Sequence, residues 1–286
     1  MIRYLLLLTV VLPQLAFAWS ETGHSTVCEI AYTELSRSAR REVDRLIDMD
    51  PEYDTFAESC SWADGPPRQR DLDHYVNFPR STQAVTVDEC QLADTCIFAG
   101  IDTDVSVLLD GASSANARLE ALKLLGHWVA DIHQPMHTTF SDDRGANSIT
   151  ALVVDDNGDE IEATLHGVWD YWIIHWQLGD NYRVLANRLR VRLDDRLRDR
   201  WRFDSPIEWA NESFQLAIAP EADYCVQQSG ACWYSADNMM LNRGESQRVV
   251  RIGDAYAVQH AATIEQRLLA AGVRLGHLLN QLLGDN

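Results

Sequence analysis

Nine histidines are spread through the 286-residue chain, and two of them are followed four residues on by an aspartate: His127 with Asp131, and His166 with Asp170. On an α-helix that spacing puts both side chains on one face, a turn apart. An imidazole and a carboxylate so placed can hold a divalent cation between them. A single pair is better explained by a hydrogen bond on a helix surface. Two pairs, both in apolar, tryptophan-containing segments, are harder to explain that way, because charged groups that face a core need partners or a metal. The run His127-Trp128-Val129-Ala130-Asp131-Ile132-His133-Gln134-Pro135-Met136-His137 is denser still. His133 lies about 120° around the helix from His127, so it reads as structural, or as support for a ligand. Pro135 ends the helix and lets His137 turn back from the loop. Upstream, Trp62-Ala63-Asp64 and His74-Tyr75-Val76-Asn77 flank a short loop containing proline and arginine.

The elements that must position these groups read as mostly helical. Val27, Ile30, Ala31 and Leu35 have helical spacing, as do Val43, Leu46 and Ile47. Residues 115–132 predict a strong helix that stops before Pro135. Leu185, Leu189, Leu193, Leu197 and Trp201 form an i, i+4 stripe whose opposite face mixes arginines with aspartates, which suits a solvated, salt-bridged surface. Ser205-Pro206 starts another helix, and residues 247–283 read as a long helical stretch broken at Gly272. Residues 51–104 show little periodicity and read as loops. Residues 149–165 alternate around Asn157-Gly158, a hairpin signal. The fold class expected is all-α: one mainly helical domain over residues 19–286 with a small β-hairpin near 149–165.

The first eighteen residues read differently. Arg3, an apolar run over 4–12 and Ala16-Phe17-Ala18 make a secretory signal peptide, cleaved before Trp19, and no other stretch has the length of a membrane span. The mature protein is therefore expected to be secreted or periplasmic, with no membrane anchor. Cys28, Cys60, Cys90, Cys96, Cys225 and Cys232 fit an oxidising compartment. Cys90/Cys96 and Cys225/Cys232 could close short loops, leaving Cys28/Cys60, although sequence alone leaves the connectivity open. The net charge of −19, from 24 basic and 43 acidic residues, excludes a protein that grips nucleic acid by bulk electrostatics. A free amine at Trp19 could ligate a metal once deprotonated, with His24 close enough to join it.

Here the residues resemble the S-one/P-one nucleases, a family of secreted, trinuclear-zinc nucleases that prefer single strands. The resemblance rests on Trp19-Ser20-Glu21-Thr22-Gly23-His24, Ser61-Trp62-Ala63-Asp64, His74-Tyr75-Val76-Asn77 and the 127–137 run. It continues through Asp143-Arg144-Gly145-Ala146-Asn147, Leu165-His166-Gly167-Val168-Trp169-Asp170, Trp209-Ala210-Asn211-Glu212-Ser213 and Ala271-Gly272-Val273-Arg274-Leu275, in order along the mature chain.

The resemblance implies three Zn²⁺ per chain. Asp64, His74, His127 and Asp131 would hold one; His137, His166 and Asp170 a second; the Trp19 amine and carbonyl, His24 and a bridging Asp131 the third. It implies hydrolysis of the 3′-O–P bond of single-stranded nucleic acid or a nucleotide, leaving 5′-phosphates, with Asp64 also orienting the nucleophile. Three divalent cations would put positive charge where an acidic protein must receive phosphate. Tyr75 would stack on a base, Asn77 would read its edge by donating or accepting, and Arg68 and Arg70 are candidate phosphate contacts. Tyr75 and Asn77 stand where the family often has Phe and Asp, Thr164 stands for the usual Asn, and Ala146 for a Gly. No protein partner is expected, and a monomer is.

Two other readings compete. Zinc-dependent phospholipase C shares a trinuclear site and a mature N-terminal tryptophan, but its next histidine lies farther on and its last ligand is usually Glu; His24 and Asp170 favour the nuclease. A secreted, non-catalytic metal-binding protein would keep the ligands without phosphodiesterase activity. No nucleophile-elbow, P-loop or dinucleotide motif is present.

Overall fold

A computed structural model describes residues 19–202, 204–235 and 248–284. The signal peptide expected over residues 1–18 lies outside them.

The helices follow the apolar spacing. α1 (Glu21–Thr33) is capped by the Ser20 hydroxyl, which accepts from Gly23 N. α2 (Arg37–Ile47) buries Ala39, Val43, Leu46 and Ile47 on one face. Residues 51–104 hold more helix than the sequence suggests: α3 (Phe56–Ser59), 3₁₀ turns at Trp62–Asp64 and Asp71–His74, and the start of α4 (Ile97–Leu109). Their periodicity is invisible because the first three are only about one turn long. α5 (Ala115–Asp131) is the central helix. It is buried on almost every face from Leu119 onward, as a helix apolar all round must be.

After a 3₁₀ turn at Pro135–Thr138, β1 (Thr150–Val154) and β2 (Glu160–Thr164) form the expected antiparallel hairpin, with Thr150 opposite Thr164. α6 (Leu165–Gly167) runs on into π-wound segments Val168–Trp172 and Ile174–Leu178. The stripe from Leu185 to Trp201 is not one helix but two, α7 (Tyr182–Arg190) and α8 (Asp195–Trp201). Asp194 causes the break: its carboxylate accepts from Leu197 N at 2.8 Å and caps the second helix. Part of the arginine face is paired, with Arg192 on Glu265 and Arg198 on Glu34. α9 (Pro206–Ala217) starts as expected, the Glu208 carboxylate accepting from Ser205 N.

β3 (Val226–Gln228) and β4 (Ala231–Trp233) make a second small hairpin, and β5 (Val249–Arg251) pairs parallel with β1. α10 (Asp254–Leu283) is continuous, so the expected break at Gly272 is corrected. A Cβ at Gly272 would stand 2.5 Å from Ile30 Cβ and Cγ2. The glycine is there for close approach of α1 and α10, and the helix tolerates it because packing outweighs propensity. The cysteines pair as Cys28–Cys60, Cys90–Cys96 and Cys225–Cys232. One mainly helical core, centred on α5, thus carries two small sheets. Among the described residues no helix is long and apolar enough to cross a membrane.

Candidate metal centre

The buried end of α5 and the turns facing it bring the expected ligands together in three groups: His24, His127 and Asp131; Asp64, His74 and His127; and His137, His166 and Asp170. α1 supplies His24, the 3₁₀ turns supply Asp64 and His74, and α6 with its π-wound continuation supplies His166 and Asp170. Asp131 is the hub. Its carboxylate lies 3.4 Å from His24 Nε2, 3.2 Å from His74 Nδ1, 3.1 Å from His127 Nε2 and 3.8 Å from His137 Nδ1. Asp64 stands 3.5 Å from His74 Nδ1 and 3.7 Å from both His24 and His127 Nε2. His166 Nε2 is 3.2 Å from Asp170.

The protein fixes which ring nitrogen faces the centre. Backbone carbonyls only accept, so the nitrogen beside one must carry the proton. His127 Nδ1 donates to Cys60 O (2.7 Å), His74 Nε2 to Gln69 O (2.9 Å), His137 Nδ1 to His74 O (2.6 Å) and His166 Nδ1 to Gly145 O (2.6 Å). Each opposite nitrogen is then a lone-pair donor aimed at the cluster, the arrangement that orients metal-binding imidazoles. The Cys28–Cys60 disulfide holds one of these carbonyls in place.

Among the described residues, several inward atoms have no hydrogen-bond partner: both His24 nitrogens, His137 Nε2, Asp64 Oδ1, both Asp131 oxygens and Asp170 Oδ2. Burial pushes the carboxyls up, Asp64 to about 6 and Asp131 and Asp170 well above the ordinary range. Burial likewise pushes the imidazoles down, His166 to about 4, with His24, His74, His127 and His137 also lowered. Neutral imidazoles are what a metal needs, and buried, unpartnered carboxylates are what a cation would relieve. A mixed nitrogen and oxygen donor set of this kind suits zinc.

Trp19 is wholly buried, its indole donating to Ala130 O (2.8 Å), while Ser20 N donates to Asp170 O (2.9 Å). The Trp19 side chain is therefore tied to α5, and the backbone of the next residue to the Asp170 segment. Tyr75, Asn77, Arg68, His137 and His166 line one cavity of about 240 Å³. Arg68 also reaches Asp64 at 3.3 Å. Arg70 is not brought in. Its guanidinium is committed to Asp73 (2.6 Å) and Asp104 (2.9 Å), which compete for the charge expected to meet phosphate.

The sequence reading missed four residues at the site. Arg144 and Asn147 share the Tyr75 cavity. They sit on a loop in which Arg144, Gly145 and Ala146 all have positive φ (59°, 61° and 66°), a conformation non-glycine residues hold only when braced. The brace is Asp143, which accepts from Ala146 N (3.0 Å) and from Arg80 (2.6 Å). Gln134 bridges Met136 N and the Asp170 carboxylate, so it steers that ligand. Tyr171 is exposed next to Asp170. The quoted motif around Arg144 was the signal for the first two; nothing in the spacing marks Gln134 or Tyr171. His133 is structural, as expected: it donates to Val129 O and accepts from Arg274.

Fold and site together define a helical protein with a buried His/Asp centre able to bind metal. The model of the S1/P1 nuclease family matches residues 19–284, and the chain belongs to that family. It is 26% identical to Endonuclease 5 of Arabidopsis thaliana over 282 residues, 93% of this chain and 91% of that protein. It is 27% identical to Endonuclease 4 of the same plant over 287 residues, 94% and 91% of the two chains. To Nuclease S1 of Aspergillus oryzae it is 28% identical over 170 residues, 57% and 56%. The protein is a nuclease, a hydrolase of phosphodiester bonds.

Proposed function

We propose that this chain is a secreted, zinc-dependent nuclease and 3′-nucleotidase, with three ions held by Trp19, His24, Asp64, His74, His127, Asp131, His137, His166 and Asp170. It would cleave the 3′-O–P bond of RNA and single-stranded DNA and leave 5′-phosphates. The observation that carries this is the convergence of the eight His and Asp side chains with unpartnered, buried donor atoms among the described residues. Zinc bound there would lower the pKa of water toward neutrality and neutralise charge on the phosphate.

The chain's own residues divide the rest. Asp64 would orient the attacking water, since its carboxylate stands among three imidazoles. Arg68 reaches Asp64 at 3.3 Å and would meet a phosphate oxygen. Tyr75 would stack on the base of the nucleoside whose 3′ oxygen departs beside His137 and His166. Among the described residues Asn77 Oδ1 has no hydrogen-bond partner, and Asn77 lines the same cavity, so its amide would read the edge of that base.

The test is end-group analysis of a single-stranded oligonucleotide digested by the mature protein. Products bearing 5′-phosphate and 3′-hydroxyl are expected. Products bearing 3′-phosphate, or cleavage of phosphatidylcholine without cleavage of nucleic acid, would overturn the reading.

A further inference from the structure

A second concavity meets the centre from the other side. It has a volume of about 730 Å³ and touches the cluster through Trp19 and Asp64, whereas the Tyr75 cavity touches it through His137 and His166. Asp131, within 4 Å of His24, His74, His127 and His137, joins the two ends. A dinucleotide with its scissile phosphate at the cluster and one nucleoside in the Tyr75 cavity would present its other nucleoside to this larger one.

The lining states what it accepts. Tyr53, Tyr171 and Tyr182 supply aromatic surface, while Glu21, Asp64 and Asp180 supply negative charge, and no lysine or arginine contributes among the described residues. Such a wall repels a phosphate and suits the neutral faces of a base and its sugar. The volume falls in the range of small-molecule sites. Tyr171 is the exposed ring, at 41%. His175 stacks on it at 5.1 Å with the planes 13° apart, and Trp172 meets its edge at 5.0 Å. His175 is itself clamped between Asp180 (2.8 Å) and Asp156 (3.1 Å). The ring is thus held in orientation before substrate arrives, which lowers the ordering cost of stacking.

We infer that this cavity is the subsite for the nucleoside that retains the new 5′-phosphate, with Tyr171 as the stacking platform for its base. The inference rests on the nuclease reading proposed above. Tyr171 acts on substrate binding and is distinct from the Tyr75 cavity, which would hold the departing nucleoside.

The test compares two substrates with the same departing nucleoside: a 3′→5′ dinucleoside monophosphate, which fills both cavities, and the corresponding 3′-mononucleotide, which fills only the Tyr75 cavity. Tyr171→Ala should lower the ratio of their kcat/KM values, dinucleotide over mononucleotide, by about tenfold, the size of a lost base–aromatic stack. Most of that change should lie in the dinucleotide KM. Tyr171→Phe, which keeps the ring, should restore the ratio. An unchanged ratio in Tyr171→Ala, including an equal loss on both substrates through displacement of neighbouring Asp170, would overturn the subsite. Wild-type protein cleaving neither substrate would instead overturn the nuclease reading, and the subsite with it.

Discussion

Gly272→Ala tests the link between packing and site. The substitution adds one methyl to the middle of α10, and by intrinsic propensity alone it should stabilise the helix by about 1 kcal/mol. The structure opposes this. The new Cβ would lie 2.5 Å from Ile30 Cβ and Cγ2 and 3.0 Å from Val27 O, where carbon–carbon contacts need roughly 3.5 to 4.0 Å. Both Ile30 atoms sit at the root of a buried, β-branched side chain and cannot swing away, so α1 and α10 must separate by about 1 Å. Overpacking of this kind costs about 3 kcal/mol at the upper end of its range. The net expectation is destabilisation by about 2 kcal/mol, which lowers Tm by roughly 4 to 8 °C for a domain of this size. Because α1 carries His24, the metal site it serves should lose affinity as well. The assay is thermal unfolding of the metal-loaded protein beside Gly111→Ala, a position where an added Cβ meets nothing within 4 Å. A Gly272→Ala protein with raised Tm would show that the helices are not in contact as described.

Other outcomes follow from the centre and its surroundings. Asp131→Asn should lower metal content by at least one ion and reduce kcat/KM about a hundredfold or more. In the metal-free protein the same change should raise Tm, because it removes a buried, unpartnered carboxylate; metal analysis and paired melts read both. A residue left ahead of Trp19 should lower metal stoichiometry without lowering the melting temperature of the metal-free protein, and full stoichiometry would exclude the Trp19 amine as a ligand. At His175, burial alone would lower the pKa, but hydrogen bonds and charge from Asp180 and Asp156 outweigh it and raise it. Both ring nitrogens must donate to be bonded at once, so the clamp needs the imidazolium. Its stabilisation is fully present below the ordinary histidine pKa and fades as pH rises through the raised folded value. Tm of wild type minus that of His175→Ala should therefore shrink between mildly acidic and alkaline pH, and a difference that grows with pH would contradict the clamp.

Much of this was legible in the sequence, for physical reasons. α5 could be read because its apolar content runs through four turns and stops at a proline. The His127/Asp131 and His166/Asp170 pairs could be read because helical spacing fixes neighbours without tertiary information. The hairpin declared itself through Asn157-Gly158. What failed were readings in which a local signal met a long-range one. Gly272 looks like a breaker until Ile30 is seen against it. The stripe from Leu185 to Trp201 looks continuous until Asp194 takes the cap of a second helix. Arg70 looks available until Asp73 and Asp104, the latter 34 residues away in sequence, are found around it. Gln134 and Tyr171 carry no signature at all, since their contacts with Asp170 and His175 form only after folding.

The most direct test is elemental analysis of the correctly processed protein, before and after dialysis against a chelator, with single-stranded DNA hydrolysis measured on the same samples. Three zinc ions per chain, lost together with hydrolysis and recovered with it when zinc is returned, is the result expected. Hydrolysis that persists in protein free of metal would contradict the central claim that these nine residues work by holding cations.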